Sequence, residues 1–182
     1  MRHIVFLLEE PSAKAMLEGL LPRIMPPETI WKFIAFEGKQ DLEKNFFRKV
    51  RGYLIPESVF IVIRDQDSGD CRLIKIRLKG LCEEAGRPDA LIRIACRELE
   101  SWYLADFSAL AAAYKKPALL RLGDRARYRN PDKVISSSRE LKTLIPEYQK
   151  IEGSRRMGVH LDVENVRSRS FALLIRTLRG IH

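Results

Sequence analysis

Val59-Phe60-Ile61-Val62-Ile63-Arg64-Asp65-Gln66-Asp67 decides how the rest of the chain is read. Five apolar residues in succession, four of them β-branched, are stopped by an arginine and two acids. That pattern predicts a strand buried on both faces, as in a parallel sheet with helices on either side. Such sheets bind ligands at the carboxyl ends of their strands. In an extended exit Asp65 and Asp67 project to the same side. Two carboxylates held together repel unless a cation lies between them, so Asp-x-Asp reads here as half of a Mg²⁺ or Mn²⁺ site. The plain alternative is a solvated turn, since Asp, Ser and Gly are ordinary turn residues.

On either side of this stretch strand and helix patterns alternate. Residues 3–8, 30–36, 58–63 and 90–96 read as strands, and residues 13–21, 40–54 and 73–85 as helices. Ser12 is placed to cap the first helix, and Leu73, Ile76, Leu78, Leu81 and Cys82 are available to the buried side of the third. The economical fold is an α/β, mainly parallel sheet with helices on both faces. Residues 98–114 look helical, 115–138 show no sustained period, 139–145 form a short helix and 153–165 read as a loop. Residues 168–178 close the chain as an amphipathic helix with Phe171, Leu174, Ile175 and Leu178 inward. Residues 1–114 are then the core, and 115–182 a basic extension packed on it.

At 182 residues the chain fits one domain with a real core. No apolar run approaches the roughly 20 residues that cross a bilayer. The leader-like start runs into Glu9-Glu10 without a small-residue cleavage site, so a cytoplasmic protein is expected. Cys71, Cys82 and Cys96 lack Cys-x-x-Cys spacing, which argues against zinc and a disulfide framework and for reduced structural thiols. No Gly-x-x-x-x-Gly-Lys loop is present, so any ATP dependence comes from a partner. Against 24 acids stand 33 Lys and Arg, and the excess gathers after residue 115. The acids instead mark three strand exits: Glu9-Glu10, Asp65-x-Asp67 and Glu98-x-Glu100. Three acidic exits on one edge are tolerable mainly where cations bind. Glu98 has a second explanation, since acids in a helix's first turn complement its dipole.

These residues resemble the Toprim fold, the nucleotidyl-transfer and nuclease domain of topoisomerases, primases and the overcoming-lysogenisation-defect nucleases. Its pattern is a Glu after strand one, usually followed by Gly, and Asp-x-Asp after strand three; Glu9 and Asp65-Gln-Asp67 occupy these places, with Glu10 where Gly is usual. A closer resemblance, over nearly the whole chain, is to a bacterial family of Toprim-like proteins often encoded beside ABC-type ATPases and linked to defence against foreign DNA. It rests on Arg64-Asp-Gln-Asp67, Arg97-Glu-Leu-Glu-Ser-Trp-Tyr-Leu-Ala-Asp106, Tyr148-Gln-Lys150, Gly153-Ser-Arg155, His160-Leu-Asp162 and Asn165-Val-Arg-Ser-Arg-Ser-Phe171. The resemblance implies a metal-dependent nuclease acting on nucleic acid, working with an ATPase partner. In it Glu9 would be general acid, base or ligand, Asp65 and Asp67 would hold Mg²⁺ or Mn²⁺, and Glu98 with Glu100 would complete the site. The other class it allows is a non-catalytic interaction module that docks an ATPase or RNA. Oligomeric state is left open.

Arg155, Arg156, Arg167 and Arg169 lie in a segment too polar for core and match phosphate geometry; their alternative is counter-charge to nearby acids. His160 reads as a proton shuttle or a loop-holding hydrogen bonder, Trp102 and Tyr103 as core, and Tyr128 as a base-stacking candidate.

Overall fold

The structure is a computed structural model that describes residues 3–181; Met1, Arg2 and His182, and with them the first two residues of the leader-like start, lie outside it. Four parallel strands, β1 (His3–Leu8), β2 (Ile30–Ala35), β3 (Val59–Asp65) and β4 (Leu91–Ala95), form one sheet in the order β2-β1-β3-β4. Leu7 lies beside Val62, and Val62 beside Ile92, so every strand exits on the same edge.

Both faces are covered, which is why the central strands are apolar without alternation. On one face Ile4, Phe6, Leu8, Ile61 and Ile63 join the larger core with α1 (Pro11–Leu20), α4 (Glu100–Leu104), α5 (Phe107–Tyr114), α7 (Lys150–His160) and α8 (Arg169–Arg179). On the other, Val5, Leu7, Phe60 and Val62 meet Phe46 and Val50 of α2 (Lys39–Arg51) and Leu78 and Cys82 of α3 (Cys71–Glu84). Between α5 and α7 the chain makes 3-10 turns and α6 (Ser137–Leu144). Trp102 and Tyr103 are fully buried, as expected, and so are Phe171, Leu174 and Leu178 of α8. No described helix is long and apolar enough to cross a membrane.

Several local expectations are corrected. Residues 153–165 are no loop in their first half, because α7 runs to His160. Gly158 is there for packing: a Cβ on it would overlap the Met16 carbonyl oxygen, and across the same contact a Cβ on Gly19 of α1 would stand 2.8 Å from Gly158 C. The end of α7 is held by Arg23, whose Nη1 donates to the Leu161 carbonyl at 2.7 Å. Residues 98–114 form two helices, because the Asp106 carboxylate accepts from Ala109 N at 2.8 Å and starts α5 anew. Ser12 does not cap α1; Glu10 holds that position, and the Ser12 hydroxyl donates to the Glu10 side chain. In α3 the inward stripe is Ile74, Leu78, Leu81 and Cys82, whereas Leu73 and Ile76 lie outside that stripe and are each 67% exposed.

Candidate functional site

The carboxyl edge is knitted together by the backbone before any side chain contributes. Glu9 N donates to Ile63 O and Gln66 N to Ala95 O, each extending a ladder past its strand. Asp67 and Arg97 both adopt left-handed conformations, φ 55° and 63°, and Asp67 N donates to Arg97 O at 2.6 Å. Asp tolerates that region because its short side chain bonds locally. The turn also corrects the expected geometry: the chain stops being extended at Gln66, so Asp65 and Asp67 are not a parallel pair. Asp67 takes an ion pair from Lys39 Nζ at 3.2 Å, at the start of α2.

Glu9 is nearly buried. Its Oε2 accepts from Asp65 N at 3.0 Å and lies 3.7 Å from Arg64 Nε. Burial pushes its pKa up, against the pull of that N–H and of Arg64. Arg64 is no mere strand stop; it is 7% exposed and continues to Glu43, which also binds Arg77 at 2.6 Å. Asp65 closes β3. Burial, then the like charges of Glu100 and Glu9, hold its carboxyl well above the usual range, with Lys150 opposing. Glu100, at the start of α4, is fully buried; Oε1 accepts from Tyr148 Oη at 2.9 Å, and Oε2 has no partner among the described residues. Its pKa is raised, by burial first. Tyr148 is in turn pushed far up by burial and by Glu100, so it stays a donor.

Lys150 completes the cluster. Its ammonium pairs with Glu10, and although burial works to lower its pKa, Glu10, Glu100 and Asp65 carry it upward. α7 is anchored here by a second buried link, Tyr103 Oη donating to Ser154 Oγ at 2.8 Å. Thus Glu9 and Glu100 lie near enough to act on Asp65 by like charge, with Glu10 and Lys150 in the same neighbourhood. Glu98 faces elsewhere: its oxygens accept from Ser138 N at 2.7 Å and Ser138 Oγ at 3.2 Å, capping α6, so the helix dipole it complements is not its own. Arg64, Lys150 and Tyr148 were not assigned from the sequence. Composition gave no sign of them, though Arg64 and Tyr148-Gln-Lys150 fall within the quoted hallmarks.

The remaining candidates lie apart. Arg155 and Arg156 both hold Glu152, at 2.7 and 3.1 Å, on the exposed face of α7. Arg167 donates to the Gly123 carbonyl at 2.9 Å, and Arg169 begins α8. His160 ends α7, about 15 Å along the helix from Lys150, which removes it from the acidic edge as a proton shuttle. Tyr128 cannot stack on a base: it is 1% exposed and its hydroxyl donates to Glu140.

With this geometry in place, the chain can be set beside known proteins. Residues 8–179 match the family described as Domain of unknown function (DUF4276). The chain belongs to this family. Its fold is similar to the C-terminal region of the Burkholderia pseudomallei OLD protein, with a TM-score of 0.58 at 13% identity, covering 98% of this chain and 97% of that one. At that identity the likeness speaks for the fold. A comparison with curated proteins gave no match.

Among the described residues, no three His, Cys, Asp or Glu side chains stand at metal-holding distance from one another. The donor set nevertheless suits a hard divalent cation. It is all oxygen, its members repel one another, and one buried oxygen of Glu100 is orphaned.

Proposed function

We propose that the protein is a metal-dependent phosphodiesterase of Toprim type acting on nucleic acid. The observation that carries this is the meeting of Glu9, Asp65 and Glu100, from three successive exits of one sheet edge, with raised pKa values and an unpartnered Glu100 Oε2. Asp65, Glu100 and Asp67, with Glu9, would hold Mg²⁺ or Mn²⁺. A bound divalent ion would supply Lewis-acid polarisation of a phosphoryl oxygen.

The chain's own residues supply the rest. Glu9, anchored through Oε2 by Asp65 N–H, offers its other oxygen to take or give a proton, and its raised pKa brings that exchange nearer neutrality. Lys150 and Lys39 place ammonium groups where negative charge collects on a transferring phosphoryl group. The gap among Glu9, Glu10, Arg64 and Asp65 is only about 10 Å³, barely room for one water. A substrate would therefore lie across the edge rather than within it. Arg155 and Arg156 lie further along α7, and their shared partner Glu152 is exposed enough for phosphate to displace it. A partner ABC-type ATPase and a role in defence rest on the resemblance alone.

The test is cleavage of labelled DNA and RNA by the purified protein with Mn²⁺, with chelator, and after Asp65→Asn. Activity that needs Mn²⁺ and disappears in Asp65→Asn is expected. Unchanged activity in Asp65→Asn, or no cleavage of either polymer with or without an ATPase partner, would transfer the protein to the non-catalytic docking class.

A further inference from the structure

β4 ends the sheet, and a groove of about 580 Å³ lies along it between α3 and α8. Its apolar lining includes Ile94, Val166 and Leu173, the last two 76% and 43% exposed. Around it stand Arg72, Lys75, Arg169 and Arg176, and among the described residues no carboxylate lines it. Among the described residues none of these four cations forms an ion pair. The neighbouring acids are engaged: Asp70 caps α3, and Asp132 accepts from Ser168 Oγ and Ser170 N at the start of α8. Elsewhere Arg127, Arg155, Arg156 and Arg179 all have carboxylate partners. Among the described residues the groove at Ile135 also holds cations without an ion pair, Lys133 and Arg139, but Glu140 shares it, whereas the cations beside β4 frame aliphatic side chains with no carboxylate in the lining.

The chemistry narrows the occupant. An added β-strand is blocked, because Arg93 on the edge strand folds back, Nη1 donating to Ile92 O at 2.7 Å and Nε to Thr177 Oγ1 at 2.6 Å. A nucleic acid would satisfy the cations but not the aliphatic wall, and no aromatic side chain lines the groove to stack a base. An amphipathic helix satisfies both. We propose that this groove docks an acid-bearing amphipathic helix of a partner protein, its apolar ridge on Ile94, Val166 and Leu173 and its carboxylates on the four cations. This docking does not depend on any reaction at the acidic edge.

The probe is a fluorescent peptide about five helical turns long, with Leu at the i, i+3, i+4, i+7 spacing and Glu on the flanks. Binding is read by anisotropy near 0.1 M salt. The expected result is saturable binding that is lost with the scrambled sequence and with Lys in place of Glu. It should weaken about tenfold or more in Arg72→Glu/Arg176→Glu and also in Leu173→Ala, in variants whose melting temperature is unchanged. Bound peptide should also slow alkylation of Cys71 and Cys96, which line the same groove. Equal binding of the scrambled peptide, unchanged affinity in both variants, or displacement by a single-stranded oligonucleotide of equal charge would overturn the proposal. So would self-association in sedimentation that Arg72→Glu/Arg176→Glu abolishes, since that makes a second copy the occupant.

Discussion

The acidic edge and the basic groove both concentrate like charges, yet the protein treats them in opposite ways. At the edge almost every carboxylate is answered from within the chain: Glu9 by Asp65 N–H and Arg64, Asp67 by Lys39, Glu10 by Lys150, and Glu100 by Tyr148 through one oxygen. Among the described residues, no cation of the groove has a carboxylate partner. Half-buried charges need compensation for the fold to stand, whereas exposed ones are solvated at little cost and can wait for a partner. Changes at the edge should therefore register in stability, and changes in the groove only in association.

The largest effect should come from the support of Lys150. Gly158→Val drives a branched side chain into the Met16 backbone, and α1 and α7 must separate. A cost of about 3 kcal/mol or more is expected, a fall in melting temperature of roughly 6–12 °C. A shift below about 2 °C would mean that the contact between these helices is not what holds Lys150 in place. Next is Lys150→Met, which leaves Glu10, Glu100 and Asp65 uncompensated. The Lys150 side chain is 42% exposed, so the loss is discounted to about 1–2 kcal/mol. A melting temperature equal to wild type would show that the cluster does not need this cation.

Asp65→Asn should act in the opposite direction and stabilise the protein. The folded pKa values of Glu9, Asp65 and Glu100 lie above their unfolded values, so the folded state holds extra protons. Their contribution is full below the ordinary carboxylate pKa near 4 and is lost as pH rises through the raised values. Melting temperature plotted against pH should therefore decline less steeply above pH 4 in Asp65→Asn, with a gain of about 2–4 °C at neutrality for each kcal/mol of repulsion relieved. A lower melting temperature at pH 7 would contradict the raised pKa. The smallest effects are expected at Arg155→Ala and Arg156→Ala, whose exposed pairs within one helix should leave the melting temperature close to wild type. If they touch phosphate, each should lower the logarithmic salt slope of nucleic-acid binding by about one.

The sheet was legible because its evidence is local. An apolar run ended by acids predicts a strand and its exit, and Glu9 and Asp65 follow directly. α7 was not legible, because Gly153 and Gly158 look like loop residues until Tyr148 and Met16 are seen filling the space a Cβ would take. Helical spacing also could not choose between the two stripes of α3, and only the sheet leaves Leu73 and Ile76 outside. At the site, Asp67 escaped the extended geometry through a left-handed turn, and Glu98 faced a helix some 40 residues away. Lys150 reached the cluster only through tertiary packing, which no spacing in the sequence encodes.

The central claim is that the acidic edge is a cation site, and a calorimetric titration with Mn²⁺ on wild type and on Asp65→Ala/Asp67→Ala tests it most directly. Weak binding is expected in wild type, since such ions draw part of their ligands from substrate, and none in the double variant, which should melt no lower than wild type. Equal Mn²⁺ affinity in the two proteins would contradict the account.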